Sequence, residues 1–254
     1  MAELTKLRLA YVNHIAASAT VVTALTSATK FPVARLQSAF RQVRWRSTGI
    51  VSEYVQFDFG SAQIVQCLFI LDHNLTGEAM VELRGSTDGF VASDEVLGVF
   101  TPASDPLVEY IDTTQFRYYR LTFADPTNLD GYIEVGRIHM GPYYEAKRNF
   151  NHGYAMGAAD LSETVTSRNG VDSHNRKPQK RTAVLPFEHM EYAQKEEFRY
   201  LWETVGTHTP FFASINYDEN PIAETLYCKL QSMPVMGDTV IRLYDTTLSL
   251  IEAL

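Results

Sequence analysis

The sequence has little cysteine and no long apolar run. Its 254 residues include two cysteines, Cys67 and Cys228. Two thiols are too few for the disulfide framework of a small secreted domain, so we expect both to be free in a reducing compartment. No stretch reaches the roughly 18 apolar residues of a membrane-spanning helix, and the N-terminus lacks a signal-peptide pattern. These absences predict a protein made in a cytoplasm and without a membrane span.

Basic residues are also in the minority. The chain has 22 Lys and Arg against 30 Asp and Glu, which gives a formal net charge of −8. Binding to a phosphate backbone calls for a clustered excess of Lys and Arg. The composition therefore predicts no nucleic-acid specificity.

Recognisable catalytic patterns are missing as well. The sequence contains no Gly-x-x-x-x-Gly-Lys phosphate loop, no Gly-x-Ser-x-Gly elbow and no His-Glu-x-x-His pair. Glu188 and His189 come nearest to a metal cluster, but adjacent residues diverge by about 100° on a helix, so a solvated helix start is the better interpretation. We predict no catalytic residue, no cofactor, no metal site and no enzyme activity.

The residues that are present favour strands. Tyr and Phe number 14 each, and flat aromatic side chains fit a pleated, half-buried surface. From Tyr54 to Phe59 polar and apolar residues alternate, which is typical of a strand with one buried face. Further strand candidates, separated by turns rich in Gly, Pro, Asn and Asp, lie at 64–71, 80–85, 96–100, 107–111, 118–123 and 132–140. The spacing predicts a mainly β fold with a sandwich in the first half.

Several segments of the first half resemble the galactose-binding-like (discoidin, factor 5/8 type C) domain. They are WRSTG from Trp45, YVQFDFGS from Tyr54, residues 65–75, VELRGSTD from Val81 and FRYYRLTF from Phe116. The resemblance implies a jelly-roll sandwich over residues 40–145.

The second half, 146–254, is organised differently. A polar stretch between two strand candidates predicts a long hairpin over 161–187 with a protruding tip. A helix is predicted over 187–205, with Phe198, Leu201, Trp202 and Val205 on its apolar face and Gly206 as its stop. Strands at 211–216, 226–231 and 239–252 would complete an α+β module. Residues 1–39 are predicted to form an N-terminal strand and linker that joins this second module.

The layout of hairpin, helix and long last strand resembles the modules of bacteriophage tail tubes and distal tail proteins. Galactose-binding-like domains are found fused to such modules in tail-tip proteins. The resemblance implies a virion protein, synthesised in the cytoplasm of a bacterial host, that assembles with itself in a closed ring. Its other partners would be tail proteins: the tube, the hub and the receptor-binding protein.

Two surface segments are candidate contact sites. Asp72, His73 and Asn74 begin a loop, 72–77, that could bind a sugar hydroxyl or a cation at the rim of the jelly roll; the alternative is a structural turn. The second segment contains four cations, Arg176, Lys177, Lys180 and Arg181. It could form a subunit-contact arm, a solvated hairpin or a nucleic-acid patch, and the negative net charge of the chain disfavours the nucleic-acid patch.

Two functions remain open from the sequence. The first is a structural subunit of a phage tail, a distal tail or baseplate ring that connects the tube to host-attachment proteins. The second is a carbohydrate-binding module that contacts glycans of the host cell surface. An accessory subunit of an enzyme is a third and weaker hypothesis. Because one fold serves many functions, the choice depends on the site.

Overall fold

A computed structural model describes residues 6–240 and 242–253 of the chain. Residues 1–5, 241 and 254 lie outside this part, and with them the start of the predicted N-terminal segment and one position of the predicted strand 239–252. The described chain divides into two compact units. The terminal unit comprises residues 6–11 and 145–253, and the central unit comprises residues 12–144.

Antiparallel strands make up most of both units. The described residues also include one α-helix, α1 (Tyr192–Val205), and two short 3-10 helices, His14–Ala16 and Val33–Gln37. The strands are, in chain order, β1 (Arg8–Ala10), β2 (Val21–Ala24), β3 (Trp45–Arg46), β4 (Glu53–Leu71), β5 (Met80–Ser86), β6 (Glu95–Phe100), β7 (Leu107–Ala124), β8 (Glu134–Val135), β9 (Arg137–Gly141), β10 (Tyr144–Glu145), β11 (Ala155–Asp160), β12 (Glu163–Thr166), β13 (Asp172–Asn175), β14 (Gln179–Met190), β15 (Phe211–Ser214), β16 (Thr225–Leu230), β17 (Gly237–Val240) and β18 (Leu243–Glu252).

The central unit is built on a six-stranded sheet. Its order is β2-β4-β7-β5-β6, and β9 pairs with the second half of β4. The long strands β4 and β7 run antiparallel from the Glu53–Phe123 pair to the Ile70–Leu107 pair, with irregular register near the middle. A separate two-stranded ladder, β3-β8, pairs Trp45 with Val135 and Arg46 with Glu134.

Alternation along β4 explains how the central core forms. Val55 and Phe57 are fully buried, whereas Tyr54 and Gln56, which point to the other face, stay partly exposed. The buried side chains of β4 pack with those of β5, β7 and the ladder β3-β8, among them Trp45 and Tyr119. The apolar residues of the predicted period-two pattern are thus the residues that pack in this core.

Residues 12–39 are not a linker in this structure. Val21–Ala24 pairs with residues 55–58 of β4, and Leu36 in the second 3-10 helix belongs to the central core. The strand was not predicted because the segment consists mostly of small residues without a clear alternation. A short edge strand forms by pairing with its neighbour and does not require such a pattern. Of the predicted N-terminal segment, the described residues up to Tyr11 belong to the terminal unit, where β1 pairs with β15.

The terminal unit is built on an eight-stranded sheet. The order is β10-β1-β15-β16-β18-β14-β11, and β17 pairs with β18. Helix α1 begins at Tyr192 and not at residue 187, because Phe187 and Met190 still pair with β18 and His189 has a φ of 57°, which a right-handed helix does not accommodate. The α-helix ends at Val205, and Gly206 follows with a φ of 54°.

The buried face of α1 differs from the predicted one at two positions, Gln194 and Trp202. Gln194, Phe198, Leu201 and Val205 are buried, whereas Trp202 is partly exposed. The Phe198 ring lies 4.8 Å from that of Phe187 on β14, centre to centre. The Gln194 amide exchanges two hydrogen bonds with the backbone of Arg148, at 2.8 and 3.0 Å. Aromatic contacts thus join the helix to β14 and β18, since Tyr192 also lies 6.4 Å from Tyr244, and the buried Gln194 amide ties it to the backbone of Arg148.

The predicted hairpin over 161–187 is longer than expected. Strand β11 pairs with β14 from Ala155 to Asp160, and the ribbon continues as β12-β13 up to a turn around Gly170. All residues of β12 and β13 are exposed, and so are all of β11 except Ala159. We call residues 155–179 the arm.

The prediction of a mainly β protein with a sandwich and one α-helix is confirmed. Cys67 and Cys228 are free, as expected, and both are buried, which raises the pKa of each thiol. No helix in the described part of the chain is long and apolar enough to cross a membrane.

Candidate functional site

The loop 72–77 is held tightly to the central unit. Asp72 has a φ of 53° and accepts two hydrogen bonds from Arg41, at 2.5 and 2.7 Å. Its backbone N–H donates to the carboxylate of Asp105 at 2.8 Å. Farther along the loop, the hydroxyl of Thr76 donates to Asp125 at 2.7 Å. Both ends of the loop are therefore held by hydrogen bonds to other segments of the central unit.

His73 and Asn74 also serve the fold. The His73 side chain is 2% exposed, its Nδ1 accepts from the N–H of Leu75, and burial lowers its pKa. Asn74 donates to the carbonyl of Tyr132 at 3.0 Å and accepts from the N–H of Glu134 at 2.7 Å. The three predicted contact residues thus turn inward, and Asn74 positions the segment that carries Tyr132 and Glu134.

A cluster of arginines and aromatic rings lies beside this loop. Strand alternation in β3 buries Trp45, whose indole N–H donates to Ser27 at 3.0 Å, and turns its two neighbours outward. Trp45 is therefore part of the core of the central unit. We call the outward set the arginine rim: Phe31, Arg35, Arg44, Arg46, Tyr132 and Glu134.

Aromatic contacts fix two guanidinium groups of the rim. Arg46 lies over both Phe31 and Tyr132, with its guanidinium carbon 4.3 and 3.9 Å from the ring centres. Arg35 lies 5.0 Å from the Phe31 ring and donates to the carbonyl of Arg44 at 3.4 Å. Both rings are partly exposed. Stacked arginines lose less freedom when they bind a ligand, because their planes are already oriented.

One carboxylate serves two arginines of the rim. Glu134 accepts from Arg44 at 2.6 Å through Oε1 and from Arg46 at 2.5 and 2.9 Å through Oε2. Burial acts to raise the pKa of Glu134, but the hydrogen bonds from Arg44 and Arg46 outweigh it, and the pKa is lowered. The hydrogen bond to Glu134 raises the pKa of Arg44. The rim is thus ionised, ordered and partly open to solvent.

The predicted cations of the arm have separate surroundings. Lys177 pairs with Glu163 across the arm, and Arg176 is exposed. Lys180 is paired in register with Ala159 on β11. Arg181 is not on the tip: it pairs with Glu252 at 2.8 Å and donates to the carbonyl of Ala223 at 3.0 Å. Arg181 therefore stabilises the sheet of the terminal unit, whereas Arg176 is exposed on the arm.

The Glu188–His189 pair lies at the end of β14 and not on a helix. Glu188 accepts from Asn151 at 2.6 Å, and the N–H of His189 donates to Asp245 at 2.7 Å. Within residues 6–240 and 242–253, no three His, Cys, Asp or Glu residues are grouped so that they could hold a metal ion.

Comparison with known proteins gives structural neighbours but no sequence relative. No family model matches the chain, and no curated protein matches it. Several structural neighbours are carbohydrate-binding modules. Chitosan-binding module 1 of a chitosanase/glucanase from Paenibacillus sp. IK-5 is 16% identical with a TM-score of 0.43, over 52% of this chain and 99% of that one. A Clostridium perfringens module, CpGH89CBM32-5 in complex with GalNAc-beta-1,3-galactose, is 10% identical with a TM-score of 0.42, over 48% and 95%.

A glycosidase is also among the neighbours. A Ruminococcus gnavus GH29 fucosidase in complex with fucose is 12% identical with a TM-score of 0.46. The match covers 52% of this chain and 27% of the fucosidase.

The loop residues that the sequence singled out lie next to the rim, but their side chains bond to the fold. Loop 72–77 was visible as a turn with polar residues, yet its polar groups hold the rim together. The run RQVRWR from Arg41 to Arg46 was visible too. Its alternation around Trp45 is the signal that could have shown two outward arginines, but their shared partner, Glu134, is 88 residues beyond Arg46 in the chain.

Proposed function

We propose that the protein is a carbohydrate-binding protein without catalytic activity, and that its central unit, a jelly roll of the galactose-binding-like type, carries the binding surface. The arginine rim is the observation that carries this proposal. It joins two partly exposed aromatic rings, Phe31 and Tyr132, to fixed charged groups on loops of a rigid sandwich. Rings can cover the apolar face of a sugar while nearby polar groups bond its hydroxyls.

A glycan array with the full chain tests the proposal. Tyr132→Ala removes one ring of the rim, and we expect it to abolish glycan retention. Tyr54→Ala is the matched control, because Tyr54 also lies under an arginine, Arg120 at 4.7 Å, but on the outer face of the sheet. We expect Tyr54→Ala to bind like the unmodified protein. Equal losses in both variants, or no glycan retained by the unmodified chain, would contradict the proposal.

A second candidate function, assembly of a structural ring, is favoured by the arm. Val165 and Val171 on the arm are 67% and 66% exposed, and β11 is an edge strand of the sheet in which every residue except Ala159 is exposed. An exposed edge strand and exposed apolar side chains are typical of surfaces that pair with another chain. A second copy of this chain would suit a head-to-tail ring. The phage-tail hypothesis, with its virion location, belongs to this candidate.

Shortening the arm tests assembly. Asp160 and Gln179 are paired in register, so residues 161–178 can be replaced by Asn-Gly, which closes a two-residue hairpin. Light scattering after size exclusion should show large assemblies of the full chain and monomers of the shortened one, with equal melting temperatures. A full chain that stays monomeric at high concentration would exclude self-assembly through the arm.

A further inference from the structure

The part of the central unit that builds the rim has an unusual charge. Residues 12–52 contain Lys30, Arg35, Arg41, Arg44 and Arg46 but no Asp or Glu, in a chain whose net charge is −8. Tertiary structure brings carboxylates to this segment from elsewhere. Asp72 pairs with Arg41, and Glu134 is shared by Arg44 and Arg46.

These carboxylates leave positive charge unmatched. Three arginines, Arg41, Arg44 and Arg46, share two carboxylates, Asp72 and Glu134. The nearby carboxylate of Asp105 accepts a hydrogen bond from the backbone of Asp72. Among the described residues, no carboxylate lies within ion-pair distance of Arg35. Arg44 has a side chain 41% exposed and reaches Glu134 through Nη1 only. Two guanidinium groups, those of Arg35 and Arg44, therefore keep donors for another acceptor.

The geometry of these donors selects the chemistry of that acceptor. A guanidinium offers parallel N–H groups that match the two oxygens of a carboxylate, sulfate or phosphate group. Arg35 is already oriented by the Phe31 ring, and its Nη1 lies 3.4 Å from the backbone carbonyl of Arg44, so the Arg35 guanidinium reaches the strand end from which the Arg44 side chain projects. The two rings of the rim, Phe31 and Tyr132, are partly exposed and could contact the body of a sugar.

We infer that the arginine rim binds an acidic glycan, in which an oxyanion on the sugar accepts hydrogen bonds from Arg35 and Arg44. This inference depends on the proposed carbohydrate-binding function and names its substrate class. The ligand is a sugar and not a nucleic acid, because the site is compact and the rest of the chain is acidic, whereas a phosphate backbone needs an extended basic surface. Carboxylate, sulfate and phosphate sugars share the required chemistry.

Matched acidic and neutral sugars test the inference. Calorimetry would compare the full chain with trigalacturonate, its methyl ester, and sulfated and phosphorylated oligosaccharides with their neutral parents. We expect the charged member of at least one pair to bind tenfold or more tightly than the neutral one, and binding to weaken as salt increases. A single-stranded oligonucleotide of equal charge should not bind.

Variants then assign the effect to the two arginines. Arg35→Gln and Arg44→Gln should each reduce affinity for the acidic sugar about tenfold, because a hydrogen bond to a charged group is lost. Arg84→Gln is the control, since Arg84 is neutralised by Glu82 and Asp94 on the outer face of the sheet. Its affinity should not change.

The possible failures are distinguishable. If neutral sugars bind as well as acidic ones and Tyr132→Ala alone abolishes binding, the acidic specificity is wrong and the carbohydrate-binding proposal stands. If the oligonucleotide binds as tightly as the acidic sugar, the ligand class is wrong. If no sugar binds at all, both proposals fall.

Discussion

The guanidinium carbon of Arg46 lies 3.9 Å from the centre of the Tyr132 ring, and the same guanidinium donates two hydrogen bonds to Glu134. Arg46 and Glu134 are also cross-strand partners in the β3-β8 ladder. The pairing of β3 with β8 therefore positions both the Arg46–Glu134 ion pair and the contact between Arg46 and the Tyr132 ring. We expect a substitution at Glu134 to change the positions of both arginines of the rim that it binds.

Glu134→Gln should destabilise the central unit at neutral pH by about 1–3 kcal/mol, because two arginines lose their carboxylate. The Glu134 side chain is 9% exposed, so solvent screens the pair only partly. Since the folded pKa lies below the ordinary 4.5, the stabilisation is present above that value and disappears as pH falls through the folded pKa. Urea unfolding of both proteins at several pH values measures it.

Trp45 fluorescence in a Trp202→Phe background reports the central unit alone, because the chain has two tryptophans, one in each unit. Glu95→Gln, at an exposed strand position, is the control and should change stability by less than about 0.5 kcal/mol. A Glu134→Gln variant as stable as this control would show that the pair contributes nothing.

Mild acid should destabilise the central unit through its histidines. Burial lowers the pKa of His14, His73 and His139 below 6.5. The unfolded chain then binds more protons than the folded one below that pH, so the free energy of unfolding falls as pH decreases. Denaturant unfolding at about pH 7.5 and about pH 5.5 should show the loss.

Exposed His152 provides the control for this measurement. His152→Gln should leave the pH dependence unchanged. Stability that does not fall at the lower pH would show that the unfolded chain binds no more protons than the folded one, which contradicts the prediction.

Phe198→Ala should destabilise the terminal unit by about 3–5 kcal/mol, because removal of a fully buried ring leaves a cavity under the helix. Trp202→Ala should cost less, since Trp202 is partly exposed. Glu197→Ala, on the exposed face of the same helix, is the control. Thermal unfolding followed by circular dichroism ranks the three variants, and a larger effect at Trp202 than at Phe198 would overturn the assignment of the buried face.

Gly136→Ala should destabilise the central unit by about 1–3 kcal/mol through overpacking. A methyl group there would lie 2.8 Å from Cβ of Asp72 and 3.2 Å from the carbonyl oxygen of Leu71. Gly77→Ala is the matched control, because its nearest neighbour, the carbonyl oxygen of Pro102, is 4.0 Å away. If both substitutions have equal effects on the melting temperature, close approach at Gly136 is not the cause.

The sequence by itself determined the local features of this protein. Period-two alternation predicted the first part of β4, the apolar stripe predicted a helix, and the polar stretch predicted a hairpin arm. Strand β4 covers two of the predicted strands, 54–59 and 64–71, and β7 likewise covers 107–111 and 118–123. The scarcity of cysteine predicted free thiols. These features depend on neighbours within a few residues, and a periodic pattern records such neighbours directly.

Only the tertiary structure decided the candidate site. Glu134 meets Arg44 and Arg46 across 90 and 88 residues of chain, and no local pattern records such a pairing. Strand β2 likewise depends on a distant partner, because it forms by pairing with β4. Strand β1 pairs with β15, and the whole central unit separates the two strands in the sequence. Asp72, His73 and Asn74 look like contact residues in the sequence because their polarity is local information. Their partners, Arg41, Asp105 and the Tyr132–Glu134 backbone, are supplied by folding, and those partners turn the loop inward.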